Sequence, residues 1–153
     1  MFKAFVRIIS TFFYVGYLPL IPGTFGSFAG LILFYFIQDN PVHLVLGFII
    51  VTVTGFFICG PAENLMQKKD PPCIVIDEVS GMLLSLLFIP YDLKLMILGF
   101  FIFRLLDTLK PFPVSRLERL RGGLGIMSDD LMAGLYTNII LQVAVRLTSF
   151  KVS

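Results

Sequence analysis

Apolar runs at residues 8–21, 28–37, 42–59, 79–89, 93–103 and 131–147 recur along the chain, separated by short loops. None alternates apolar with polar residues at a period of two, and several are too long for strands. Helices are therefore the expected element. A helix also satisfies its own backbone hydrogen bonds, which an apolar surrounding requires. Hydrophobic residues form 57% of the 153 and charged residues 14%, and the mean hydropathy is +0.91. A soluble domain of this length exposes too much surface to hide so much apolar area. The sequence thus predicts an all-α membrane protein. It is expected to be a single domain over residues 1–153, a compact helical membrane bundle of about five to six helices, some short or broken.

A full span takes about 20 apolar residues. Only the runs at 42–59 and 131–147 approach that; those at 79–89 and 93–103 would cross if helix continued from about 74 and to about 108. Suppose the segments 28–37, 42–59, 74–89, 93–108 and 131–147 alternate across the bilayer. One side then collects Lys3, Arg7, Lys68, Lys69, Arg104, Lys110, Arg116, Arg119 and Arg121, and the other Lys94, Arg146 and Lys151. The positive-inside rule assigns the richer side to the cytoplasm. That same side receives Asp77, Glu78, Asp107, Asp129 and Asp130, although the topology was not drawn to unite them. The expectation is a multi-pass protein with its acids facing the cytoplasm.

Other partners and chemistries have less support. A net charge of +2 makes no case for nucleic acid. Cys59 and Cys73 lack CxxC spacing, and His43 stands alone, so neither a disulfide framework nor a zinc site is expected. Lys3 and Arg7 ahead of apolar residues look like the start of a signal peptide, but no A-x-A-like site follows. The segment is expected to stay in the mature chain. Counting from either cysteine, the arginine of a C-x₅-R phosphatase loop would fall on Leu65 or Val79, and no G-x-S-x-G elbow is present.

Four motifs carry the chemistry. In "IVIDEVSGM", Asp77 and Glu78 open an apolar helix, where an acid is favoured by the helix dipole in any case. Gly81 and Ser85 follow Asp77 at four and eight residues, giving one small-residue face on which another helix can pack closely. In "GGLGIMSDDLMAG", Ser128 is expected to cap a helix starting near Asp129. Asp130, Ala133, Gly134 and Thr137 then form a second acid above a small-residue face. Packing the two faces would crowd carboxylates together, which is unfavourable without a cation. All-oxygen ligands favour Mg²⁺, with Mn²⁺ as the alternative.

In "FRLLDTLKPFP", Arg104, Asp107 and Lys110 recur every three residues, either as a snorkelling helix end or as a phosphate site. In "PGTFGS", Gly23, Thr24, Gly26 and Ser27 precede the run at 28–37. They offer either a plain turn and cap or backbone N–H groups for an anion. With no cysteine or serine nucleophile supported, metal-activated water is the economical chemistry.

Together and in this order, "PGTFGS", "IVIDEVSGM", "FRLLDTLKPFP" and "GGLGIMSDDLMAG" resemble the phosphatidylglycerophosphatase A family of bacterial membrane phospholipid phosphatases. The likeness runs from about residue 19 to 134. It implies an all-helical domain in the bacterial inner membrane. It also implies Mg²⁺-dependent hydrolysis of phosphatidylglycerophosphate to phosphatidylglycerol and inorganic phosphate. On this reading Asp77, Glu78, Asp107, Asp129 and Asp130 supply metal ligands and a general base, in an order the sequence leaves open. Arg104 and Lys110 hold the phosphate, helped by Gly23, Thr24 and Ser27. The rival expectations are a phosphatase of another lipid phosphate monoester, a divalent-cation transport component, and a non-catalytic membrane scaffold.

Overall fold

The computed structural model describes residues 1–110, 112 and 122–148. Among these the chain is all-helical: α1 (Phe2–Ser10), a 3₁₀ turn (Val15–Tyr17), α2 (Pro22–Ile37), α3 (Pro41–Met66), α4 (Ile76–Leu86), α5 (Leu93–Leu109) and α6 (Gly123–Thr148). Local chemistry sets several ends. Asn40 Oδ1 accepts the Val42 N–H at 2.9 Å to start α3, with Pro41 in the first turn. Asp92 Oδ1 accepts the N–H groups of Lys94 and Leu95 at 2.7 and 3.2 Å to start α5.

Helix α4 is the axis of the bundle, packed by α2, α3, α5 and α6. Its 11 residues span only about 16 Å, roughly half a hydrocarbon layer. A buried helix that stops so early leaves carbonyls without partners. Asn138 of α6 supplies them: its Nδ2 donates to Leu84 O, Ser85 O and Leu87 O at 3.1, 3.2 and 2.8 Å. The run at 79–89 therefore does not extend to a full span; it ends inside the bundle because a side chain from another helix seals it.

The small-residue faces meet as expected. A Cβ at Gly81 would stand 2.7 Å from the Asp130 carbonyl oxygen, and one at Gly134 would overlap the Gly81 carbonyl. On the opposite flank Gly26 and Gly30 of α2 lie against Val75 and Met82, where a Cβ would come within 2.7 and 2.8 Å. A hydroxyl pair ties two of the helices: Thr52 and the buried Ser80 share a 2.6 Å bond between α3 and α4.

Two expected boundaries move. The glycine-rich stretch before Asp129 is not a loop: α6 begins at Gly123, so Ser128 sits within the helix and does not cap it. Gly123 lies against the Phe56 carbonyl of α3, with no room for a Cβ, so tertiary packing outweighs the poor helix propensity of glycine. Likewise "PGTFGS" is the first part of α2, with Pro22 in its first turn, and not a loop ahead of it.

Large apolar side chains cover the outside, among them Phe36 and Phe57, each about three-quarters exposed, and Phe101 and Leu105 of α5. So much exposed apolar surface marks contact with an apolar environment. Among the described residues α3 is the one helix long and apolar enough to cross a membrane.

Candidate active site

A cavity of about 340 Å³ opens at one end of α4. The start of α2, the loop after α3, the first turn of α4, the end of α5 and the second turn of α6 converge on it. Its walls include Gly23, Thr24, Asp70, Asp77, Glu78, Arg104, Asp107, Lys110, Asp129 and Asp130. All five expected acids and both expected cations therefore share one cavity, but they fall into two sets.

Asp77, Glu78 and Asp130 form the inner set, each offering an oxygen within 4.8 Å of the others. Asp77 and Glu78 are neighbours on α4, yet both line the cavity because α4 enters it end-on. Asp77 Oδ1, Glu78 Oε2 and Asp130 Oδ1 are buried without a hydrogen-bond partner. Unpaired buried oxygens are costly and call for an explanation. Burial and then the neighbouring negative charges push Asp77 and Asp130 well above the usual carboxylate range. Burial and the Asp130 charge raise Glu78 to about 8. These groups sit at the cavity ends of their helices, outside the apolar runs at 79–89 and 131–147. Three carboxylates with convergent hard oxygens, each also keeping an unpaired buried oxygen, are a donor set suited to a small divalent cation such as Mg²⁺ or Mn²⁺.

The outer set is ion-paired. Arg104 Nη1 reaches Asp107 Oδ2 at 2.6 Å, and Lys110 Nζ reaches Asp129 Oδ2 at 3.0 Å. The other Asp129 oxygen accepts the Asp130 N–H at 3.1 Å. Burial raises Asp129 to about 6, against the pull of Lys110. Asp107 and Asp129 thus hold cations and are not part of the mutually close trio, although the Asp107 side chain also meets that of Asp130 at the trio's edge.

The "PGTFGS" residues divide as well. Gly23 is a point of close approach: a Cβ there would stand 2.5 Å from Glu78 Oε1 and 3.3 Å from Arg104 Nη2, so only glycine lets both side chains pack against the start of α2. Thr24 lines the cavity, but its N–H donates to Ile21 O at 3.0 Å and so is not offered to an anion. Ser27 is fully buried and not on the wall; its hydroxyl donates to Gly23 O at 3.0 Å and accepts from Arg104 Nη1 at 3.4 Å. It props the guanidinium from behind, in place of the direct phosphate contact expected of it.

Asp70 is the charged wall residue that sequence reasoning missed. It has a left-handed backbone (φ 46°), and its N–H donates to Glu63 Oε1 at 3.1 Å. Its charge adds to the upward shifts of Asp77 and Asp129. The signal available was an acid between two lysines and two prolines, on the same side as the other acids. Arg116, Arg119, Arg121 and the prolines at 111 and 113 lie outside the described residues.

A family model described as Phosphatidylglycerophosphatase A matches residues 8–145. The Phosphatidylglycerophosphatase A of Escherichia coli K12 is 34% identical over 138 residues, covering 88% of this chain and 80% of that protein. The Haemophilus influenzae Rd protein of the same name is 33% identical over 145 residues, covering 89% and 86%. A Bacteroides thetaiotaomicron protein, provisionally named a phosphatidylinositol-3-phosphatase, is 33% identical over 147 residues, covering 90% and 91%. No solved structure matches the chain. An all-helical bundle with these relatives is a membrane-associated phosphoric monoester hydrolase. More narrowly, the chain belongs to the phosphatidylglycerophosphatase A family.

Proposed function

We propose that the chain removes the terminal phosphate of phosphatidylglycerophosphate, giving phosphatidylglycerol and inorganic phosphate, with Mg²⁺ held by Asp77, Glu78 and Asp130. The observation that carries this reading is a trio of carboxylates that each bring an oxygen within 4.8 Å of the others and each keep a buried oxygen without a partner, in a cavity that also holds Arg104 and Lys110. A divalent cation bound there would lower the pKa of a water molecule and offset charge on the phosphoryl oxygens. Arg104 and Lys110 bind the non-bridging phosphate oxygens. Asp107 and Asp129 aim those cations, and Ser27 backs the guanidinium. Gly23, lacking a Cβ, lets the Glu78 carboxylate and the Arg104 guanidinium close in against the start of α2, so that both face the same cavity. The remaining site acids take up the proton of the attacking water, Lys110 keeping Asp129 in the ionised form that can accept it.

The same reading places the protein as a multi-pass enzyme of the bacterial cytoplasmic membrane, its cavity facing the cytoplasm. It is supported by the apolar exterior and by Lys68, Lys69, Arg104 and Lys110 near the cavity end. There the head group meets the site while the acyl chains stay in the bilayer.

The test is phosphate release from phosphatidylglycerophosphate in mixed micelles, with Mg²⁺ and then with excess EDTA. Release that EDTA abolishes and Mg²⁺ restores is expected. No release from folded protein overturns the substrate, and release indifferent to EDTA overturns the metal. The name of the Bacteroides relative makes phosphatidylinositol 3-phosphate the comparison substrate. Preference for it would move the assignment to another lipid phosphate monoester.

A further inference from the structure

A second concavity, of about 430 Å³, lies between α2 and α5. Phe28, Leu31, Ile32 and Tyr35 form one wall and Met96 and Ile97 the other, and its lining has no charged residue. We propose that this groove binds an acyl chain of the lipid whose phosphate is hydrolysed in the cavity. The inference rests on the lipid-phosphatase reading above.

Three observations select this occupant. The first is continuity with the site. α2 carries Gly23 and Thr24 at its start, and α5 carries Arg104, Asp107 and Lys110 at its end. Phe28 follows Thr24 by one helical turn, about 6 Å, and Tyr35 is about 10 Å further along the same helix. On α5, Ile97 precedes Arg104 by about 10 Å. The groove therefore starts one turn from the site and leads away from it along both helices. A lipid anchored by its phosphate must send its chains along such a path. The second is size. The volume is that of a small-ligand pocket, about 300–1,000 Å³. The third is the far end, where the Tyr35 ring stands 6.2 Å from that of Tyr91. Paired tyrosines with polar tips mark where the apolar path stops.

Ile32 and Ile97 line the groove and are each about half exposed, so tryptophan can be placed there without disturbing the core. Ile50 of α3, exposed on the outer surface, serves as the control. Two measurements separate this inference from the reading beneath it. The first uses phosphatidylglycerophosphate bearing a diazirine near the acyl terminus, in lipid nanodiscs. Photolabelling is expected to favour peptides 28–36 and 93–97 over the exposed α3 face, and to fall several-fold in Ile32→Trp and Ile97→Trp. Equal labelling of groove and α3 face overturns the proposal, whether or not the protein is active.

The second compares kcat/KM for the diacyl substrate with that for deacylated glycerophosphoglycerophosphate. The diacyl-to-deacylated ratio is expected to drop roughly tenfold in Ile32→Trp and Ile97→Trp, mainly through KM, and to hold in Ile50→Trp. An unaltered ratio in the two groove variants overturns the proposal. Failure of wild-type protein to release phosphate from either compound overturns the lipid-phosphatase reading, and the photolabelling then decides the groove by itself.

Discussion

The two ends of α4 solve opposite problems. At its far end the helix stops inside the bundle, and one amide, Asn138 Nδ2, meets three of the carbonyls there. At the cavity end, Asp77 and Glu78 leave oxygens buried with no partner, and Asp130 adds another. The same seam, α4 on α6, supplies both arrangements. The fold satisfies buried backbone oxygens with one well-placed amide yet leaves three carboxylate oxygens unpaired, a contrast that the proposed cation site accounts for. The sealed end holds the helix in place; the open end uses that placement.

Breaking the open end has the largest expected effect. Asp130→Asn should lower kcat by roughly a thousandfold, since on the proposed reading one of three metal-binding carboxylates loses its charge. Metal-free stability should be unchanged or higher, because a buried negative charge is removed. Phosphate release and thermal melting, measured on the same preparation, check both halves. Activity at the wild-type level would remove Asp130 from the site. Next, Gly134→Val forces a side chain into the Gly81 carbonyl and should cost about 3 kcal/mol, measured by unfolding in detergent.

Asn138→Leu unseals the far end alone. It should cost about 2 kcal/mol of stability for the stranded carbonyls while activity per folded molecule is retained. A variant as stable as wild type would show that the amide is dispensable. Asp107→Asn removes the carboxylate paired with Arg104 and the charge nearest Asp130 while leaving the three trio residues in place, and should raise KM roughly tenfold with a smaller change in kcat.

The smallest effect is in pH. Glu78, ordinarily near 4.5, is raised to about 8 in the metal-free fold, so the folded state keeps a proton that the unfolded chain releases. Metal-free stability should therefore be greatest below about pH 4.5 and decline as pH rises toward 8. Asp129, raised from 3.8 to about 6, adds to the lower part of that decline. Mg²⁺ should flatten the slope by stabilising the ionised carboxylates. Melting temperatures across this range, with and without Mg²⁺, measure it; a slope of the same size in both would count against a cation at the trio.

Much of the site was legible because its signals are local. Acids above small-residue faces, four residues apart, fall on one side of a helix by geometry alone. Two such faces predicted the Gly81–Gly134 contact that the fold contains. Ser27 was misread because a hydroxyl in a helix can turn back to the carbonyl four residues earlier, and sequence does not reveal which way it turns. Asp70 was missed because its place depends on how the loop after α3 folds back over α4, with Glu63 holding its N–H.

The sequence by itself determined the helical class, the apolar exterior and the gathering of acids and cations at one end of the bundle. Those follow from hydropathy, residue spacing and charge distribution, which are properties of short stretches. Only the tertiary structure decided which acids face one another, with Asp77, Glu78 and Asp130 inside and Asp107 and Asp129 turned to Arg104 and Lys110. It also decided that α6 starts at Gly123 and that α4 ends at Leu86 beneath Asn138. Each of these turns on contacts between residues far apart in the chain, where the close packing of neighbouring helices outweighs local preference.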